Sequence, residues 1–351
     1  MDIKDLYFDS LRKISSGVHD FIDIEIKKLQ KTTPDKLFQE IKTLPIKRKG
    51  KNILRSLLTF LVYKSITKKE NKDLVALCAL SELNNYNAYL DNWILDNKNN
   101  VWGTEYVKEK ISYITIASGI YRELIDKIIC GLNIPNEQKM SIVNVLQLAM
   151  TYSYQGQAQD IEMSVNTIDR YKTDKEYIDL YVRKSFLQSG YLYGASAEIG
   201  AIMANASFDE TLTTKELGEV LGTGLHISND LGDFAILQED GDFKPYQDQM
   251  ADLRNGRLTL PIYYVLKHGT EKQKEVFKDS VGKNLTHADR IEILEILHIS
   301  GAYNFCKKLI RKYYTETKKI ILKLPESQER SILSYASVII RNNKYLANLH
   351  K

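Results

Sequence analysis

Cysteine is scarce in this 351-residue chain: Cys78, Cys130 and Cys306 lie far apart, and none sits in a C-x-x-C spacing. An odd, scattered set excludes a disulfide framework and a cysteine zinc site, and it fits the reduced thiols of a cytoplasmic protein. Proline is also rare, with six residues, so long stretches run without a helix breaker. No apolar run approaches the roughly 20 residues that a membrane helix needs, which argues against a transmembrane segment. The opening MDIKDLYFDS lacks an apolar core behind a basic segment, so no secretory signal peptide is expected. The net charge of +4 is small and spread along the chain, which argues against nucleic acid as a partner. His19, His268, His287, His298 and His350 are scattered without metal-ligand spacing and receive no role.

What is present is helical pattern. Hydrophobic residues make up 43 % of the chain, ample for a sizeable core. Apolar residues recur at spacings of three and four through Ser112–Gly131 and Asp174–Ala206, the period of an α-helix. No run of alternating β-branched residues argues for a sheet. An all-α fold, a single helical bundle, is predicted over residues 46–351, with residues 1–45 as a lysine-rich helical appendage. Connections are expected at Pro34, Pro45, residues 97–103, residues 131–135, residues 241–245, Pro261 and Pro325. A T-x-x-E capping box at Thr213 and Glu216 predicts a helix start just before Leu217.

The strongest signal lies between Gly222 and Pro261, GTGLHISNDLGDFAILQEDGDFKPYQDQMADLRNGRLTLP. Spacings of three, four and seven place His226, Asn229, Asp230 and Asp233 on one helical face. Magnesium binds through a few carboxylates plus phosphate oxygens and water, and such a face facing a cavity suits it. An isolated D-x-x-D is more often a solvated acidic helix face. The later D-L-R-N-G-R-L-T-L-P changes that balance. Together the two stretches resemble the polyprenyl synthetase family, the trans-isoprenyl diphosphate synthases. Their second aspartate-rich motif, Q-I-x-D-D-x-x-D, is followed by D-L-x-x-G-K-x-T-L-P. His226 stands at the glutamine, Asn229 at the first aspartate, Asp230 and Asp233 are kept, and Asp252 and Arg257 fill the later positions.

Further matches recur in order. Lys184 and Ser185 resemble the family's Lys-Thr pair, whose lysine contacts the allylic diphosphate. Gln157 and Asp160 resemble its G-Q-x-x-D. The stretch Glu82–Asn97 resembles the helix bearing the first D-D-x-x-D, with Asn92 and Trp93 at the two leading aspartates and Asp96 at the last. Asp91, about 100° round the helix from Asn92, serves only if the helix rotates or bulges. The two arginines that follow this motif in the family are replaced by Val101 and Trp102. The basic segment that holds isopentenyl diphosphate is reduced to Lys51 and Arg55, one residue too far apart. The small residues Gly190, Gly194, Ala195, Ala197, Gly200 and Ala201 would let either a lipid chain or a neighbouring helix lie close.

The resemblance implies a class I isoprenoid synthase fold with a central cavity. It implies a prenyltransferase that ionises an allylic isoprenyl diphosphate with Mg2+, using isopentenyl diphosphate as a second substrate. The implied metal set is Asn92, Asp96, Asn229, Asp230 and Asp233. Lys51, Arg55, Gln157, Lys184 and Arg257 would bind diphosphate, with Lys184, Asp230 and Asp233 as the catalytic core. Tyr89, Trp93 and Phe186 either stabilise an allylic cation or simply pack. The family's common assembly is a homodimer. The eroded first motif keeps alternatives open: a terpene cyclase or lyase that dispenses with isopentenyl diphosphate, a non-catalytic subunit paired with an active prenyl synthase, and an unrelated helical binding protein.

Overall fold

A computed structural model describes residues 2–49, 53–95, 100–101, 104–105, 108–234 and 249–341. The chain is built of helices: α1 (Ile3–Lys27), α2 (Asp35–Arg48), α3 (Leu54–Ile66), α4 (Leu74–Leu95), α5 (Lys108–Gly131) and α6 (Asn136–Glu162) come first. A two-residue hairpin, β1 (Asn100–Val101) and β2 (Thr104–Glu105), separates α4 from α5. A 3₁₀ turn at Val165–Arg170 leads into α7 (Asp174–Ser185), α8 (Tyr191–Met203) and α9 (Phe208–Gly232). Then follow α10 (Ala251–Arg254), α11 (Leu260–His268), α12 (Glu271–Ser280), α13 (His287–Ile299), α14 (Ala302–Ile321) and α15 (Gln328–Arg341). The all-α expectation holds.

Residues 3–48 form two helices that share the main core. On α1, Tyr7, Leu11, Ile14, Val18, Ile22 and Ile26 recur at spacings of three and four and are all buried, as an apolar stripe of this period requires. Some expected helix boundaries fall elsewhere. Pro45 lies inside α2, in its last turn. The helix expected to begin at Leu217 begins at Phe208, because Ser207 and Glu210 form a capping box six residues earlier than Thr213 and Glu216. Thr213 and Glu216 are then ordinary positions of α9. Pro261 sits in the first turn of α11, after Thr259 as N-cap, where its missing N–H costs nothing.

The centre of the bundle is the crossing of α8 with α9 and α3. An added Cβ on Gly218 would lie 2.3 Å from the Tyr193 carbonyl oxygen, and one on Gly200 would lie 2.5 Å from that of Thr59. These backbones touch, so the small-residue run serves neighbouring helices. The Thr59 hydroxyl donates to the Ser196 carbonyl at 2.8 Å, and the Ser56 hydroxyl donates to the Cys78 carbonyl at 2.6 Å, satisfying polar groups at positions where helices come too close for water.

Glu219 of α9 lies across Gly194 of α8, with its Cγ 2.6 Å from where a Cβ would stand. Burial pushes its carboxyl up to about 7; Lys215 opposes the shift, and Glu198 and Glu216 add to it. A carboxyl raised in the folded state binds its proton more tightly there than in the unfolded chain. Its contribution to stability is therefore lost as pH rises from the ordinary 4.5 through about 7. Glu219→Gln is expected to raise the melting temperature at pH 8 and to change it little at pH 4.5. Thermal unfolding at both values checks this, and equal shifts at both would contradict it.

Candidate active site

α7 and α8 would form one continuous helix but for a π turn at Phe186–Gly190. Such turns are rare and frequent at functional sites. Lys184 lies just before it, 2 % exposed. Its ammonium donates to Asp160 Oδ1 of α6 at 2.7 Å and lies 3.6 Å from Asp230 Oδ2 of α9. Burial by itself would push this lysine down, but Asp160 and Asp230 outweigh it, so its pKa stands above the ordinary value. Burial likewise opposes the Asp160 charge, and Lys184 followed by Arg257 overcomes it, holding that carboxyl low. Both partners are thus charged at neutral pH.

Arg257 reaches this cluster by a built route. The D-L-R-N-G-R stretch is the short α10 followed by Gly256 at φ +67°, a conformation glycine adopts without strain. Gly256 accepts from the Val165 N–H at 2.9 Å, and Leu258 donates to the Met163 carbonyl at 2.8 Å. That pairing delivers Arg257 Nε to 3.5 Å from Asp160 Oδ2, while its Nη2 donates to the Leu95 carbonyl at 3.5 Å. Leu95 ends α4, the helix of the first motif. One chain of side chains, Arg257, Asp160, Lys184 and Asp230, therefore joins the ends of both motif helices.

The acids are not idle. Asp230 Oδ2 accepts from the Tyr181 hydroxyl at 2.8 Å, and Oδ1 faces His226 Nε2 at 3.7 Å. Asp233 Oδ2 accepts from the Asp252 N–H at 3.2 Å, capping α10. Asn229 is exposed in the last turn of α9. Among the described residues, no three His, Cys, Asp or Glu side chains are gathered closely enough to hold a metal alone. The donors still fit magnesium, which takes one or two carboxylates and leaves the rest of its shell to water and phosphate. They do not make an all-protein cage.

On α4, Asp91 is engaged by the neighbouring helices. It accepts from Ser118 and Arg122 of α5, each at 3.0 Å, and from the Tyr154 hydroxyl of α6 at 2.7 Å. Asn92 is half-buried, and Trp93 packs against the core. Asp96 and Lys51 lie outside the described residues, as do residues 241–245. Arg55 donates to Asn85 of α4 and lies 4.5 Å from the Tyr193 ring centroid. Gln157 is buried and accepts from the Gln188 amide at 2.6 Å, one turn beyond Lys184. Tyr89 carries the Arg48 guanidinium 5.2 Å from its ring, and Phe186 packs edge-to-face on Tyr191. Residues that sequence pattern passed over include Tyr181, which lies three before Lys184 on the same helical face, and Arg48. Arg48 is buried against Glu82 of α4, with Nε and Nη2 each 3.2 Å from Oε1.

Among the described residues, no helix is long and apolar enough to cross a membrane. The chain is 27 % identical over 299 residues to a short chain isoprenyl diphosphate synthase of Methanocaldococcus jannaschii, covering 84 % of this chain and 83 % of that protein. It is 27 % identical over 197 residues to a geranylgeranyl diphosphate synthase of Sulfolobus acidocaldarius, spanning about half of each, 55 % and 54 %. In fold it is similar to a geranylgeranyl pyrophosphate synthase of Corynebacterium glutamicum complexed with isoprenyl diphosphate and magnesium. That likeness has a TM-score of 0.81 at 13 % identity and covers 94 % of this chain and 99 % of that one. A polyprenyl synthase of Caulobacter crescentus, complexed with calcium and isoprenyl diphosphate, matches with a TM-score of 0.79 at 17 % identity, covering 95 % and 97 %. These structural likenesses speak for the fold alone. The Polyprenyl synthetase family model matches residues 35–297, and with the ordered motifs and the all-α bundle it follows that the chain belongs to the polyprenyl synthetase family.

Proposed function

We propose that this protein is a prenyltransferase that binds an allylic isoprenyl diphosphate and transfers its prenyl group. The observation that carries the reading is the buried cluster of Lys184, Asp160, Arg257 and Asp230 at the meeting of the two motif helices. Lys184 and Arg257 provide fixed positive charge where a diphosphate leaves, in a water-poor setting where electrostatic stabilisation is worth most. Asp160 keeps both cations charged and in place. Asp230, Asp233 and Asn229, with Asn92 of α4 and Asp96, would hold magnesium. When bound, that ion supplies further charge to the leaving diphosphate. Gln157, which meets Gln188, and Arg55, which meets Tyr193, would add contacts to the diphosphate.

A second reading is favoured by one observation. The first-motif helix offers Asn92 and Trp93 where acids stand in the family, and its nearest acid, Asp91, is engaged by Arg122 and Tyr154. That deficit suits a non-catalytic subunit in a heteromer with an active prenyl synthase, whereas the enzyme reading goes with a homodimer. The test is incubation of the purified protein with magnesium and ten-, fifteen- or twenty-carbon allylic diphosphates, with and without isopentenyl diphosphate. Longer diphosphates formed only with isopentenyl diphosphate support chain elongation. Hydrocarbons or alcohols formed without it point to a cyclase or lyase. A folded protein that is silent throughout overturns the self-sufficient enzyme.

A further inference from the structure

The outer face of α14 carries charge of one sign. Between Ala302 and Lys323 seven cations stand against a single acid, Glu316, while the whole chain carries only +4, so the rest of the chain is slightly acidic. Cys306, Ile310, Thr317, Ile320 and Ile321 lie on the buried side of the helix, which packs on α9. Lys308, Arg311, Lys312, Lys318 and Lys319, with Lys323 just past the helix end, are all exposed. Spacings of three, four and seven align them in one row, about 22 Å long at the helical rise. The row is unfavourable for the helix by itself: Lys308 and Lys312, and Lys319 and Lys323, are like charges four apart. Lys307 beside them is held below its ordinary value, first by burial and then by Arg311. Relief is partial. Lys319 lies 3.5 Å from Glu316 and Lys323 lies 3.3 Å from Glu216, but among the described residues no carboxylate is within ion-pair reach of Lys308, Arg311 or Lys312. Leu322, 68 % exposed, stands within the row at its end. Tyr313 and Tyr314 are half-buried on its flanks, and Lys318 Nζ lies 5.5 Å from the Tyr314 ring centroid.

We propose that the outer face of α14 is a docking surface for a membrane bearing anionic lipid headgroups. A straight row of cations on a convex helix meets a flat anionic surface along its whole length, and each lysine or arginine close to such a surface adds to the attraction. That contact turns the repulsion within the row into binding. The apolar face of α14 is taken up by the core, so the helix does not sink into the bilayer and the contact is peripheral. The exposed Leu322 and the flanking tyrosines suit the headgroup layer, where an apolar body and a polar tip are both accommodated. They are of less use to the phosphate backbone of a nucleic acid, which is bound through charge.

The test is co-sedimentation of the full chain with vesicles of phosphatidylcholine alone and of phosphatidylcholine with phosphatidylglycerol, at low and at high salt. The variant combines Lys308→Gln, Arg311→Gln and Lys312→Gln, all at exposed positions. A control combines Lys4→Gln, Lys13→Gln and Lys36→Gln, which removes the same charge from exposed positions of α1 and α2. The wild type is expected to bind only the vesicles with phosphatidylglycerol and to leave them at high salt, as a screened contact does. The α14 variant should bind about a hundredfold more weakly, the scale of three cations at an anionic surface, while the control binds as the wild type does. A wild type that ignores the anionic vesicles at low salt overturns the proposal without need of any variant. An equal loss in the variant and the control overturns it too, because the attraction then belongs to the whole chain and not to this face. Binding of a single-stranded RNA that the α14 variant loses, with the vesicles ignored, gives the face to nucleic acid and overturns the lipid partner.

Discussion

Lys184→Met is expected to lower the free energy of unfolding by about 3–5 kcal/mol, the cost of breaking a buried ion pair by removing one partner. The lysine is 2 % exposed, and its charge answers two carboxylates. Without it, Asp160 keeps Arg257 at 3.5 Å and Asp230 keeps the Tyr181 hydroxyl. Neither replaces an ammonium at 2.7 Å. Adding Asp160→Leu should restore part of the loss, because an apolar pair of similar volume often matches a buried ion pair. The recovery stays partial, since Arg257 then loses its carboxylate and Asp230 still lacks its cation. Urea unfolding of the two single variants and the double variant measures the coupling. If Lys184→Met costs less than about 1 kcal/mol, within the range of exposed pairs, the cluster is not as dry as its burial indicates. Product formation by Lys184→Met should fall by about 10²–10³-fold, the usual effect of removing one preorganised stabilising group.

Glu82→Ala should cost a similar amount for a different reason. Glu82 is 1 % exposed, and its Oε1 takes both Nε and Nη2 of Arg48. The pair fastens the end of α2 to the first-motif helix, 34 residues away in sequence. Removing the carboxylate strands a guanidinium, which cannot shed its charge. A loss of about 3–5 kcal/mol is expected at any pH between 5 and 8. Arg48→Met leaves an unpaired buried carboxyl instead, and its cost should be of the same order. Urea midpoints of both variants against the wild type give the comparison, and a cost below about 1 kcal/mol for either would contradict a dry, buried pair.

Much of the site is legible in the chain because its motifs are local. Asn229, Asp230 and Asp233 share a face by spacing alone, and Gly256, Thr259 and Pro261 announce a turn and a helix start. Lys184 is readable only through the resemblance of Lys184 and Ser185 to the family's Lys-Thr pair. Asp91 and Asn92 could not be ranked this way, since adjacent helical positions differ only in which neighbour they meet. What the docking of α5 and α6 adds is a set of partners for Asp91, among them Arg122 and Tyr154. The start of α9 was misread for a related reason. Two capping boxes compete within ten residues, and the earlier one wins because it lengthens a helix that packs against α8 and α14 along its length.

The sequence by itself determined the helical architecture, the order of the motifs and the loss of acids from the first of them. Helix period and capping act over three or four residues, so they can be read from neighbours in the chain. Only the tertiary structure decided which charges meet. Lys184 and Asp160 are 24 residues apart, Tyr181 and Asp230 49, and Arg257 and Leu95 162. Such pairs are set by how the helices dock, and burial then turns each of them from a weak surface contact into a strong one.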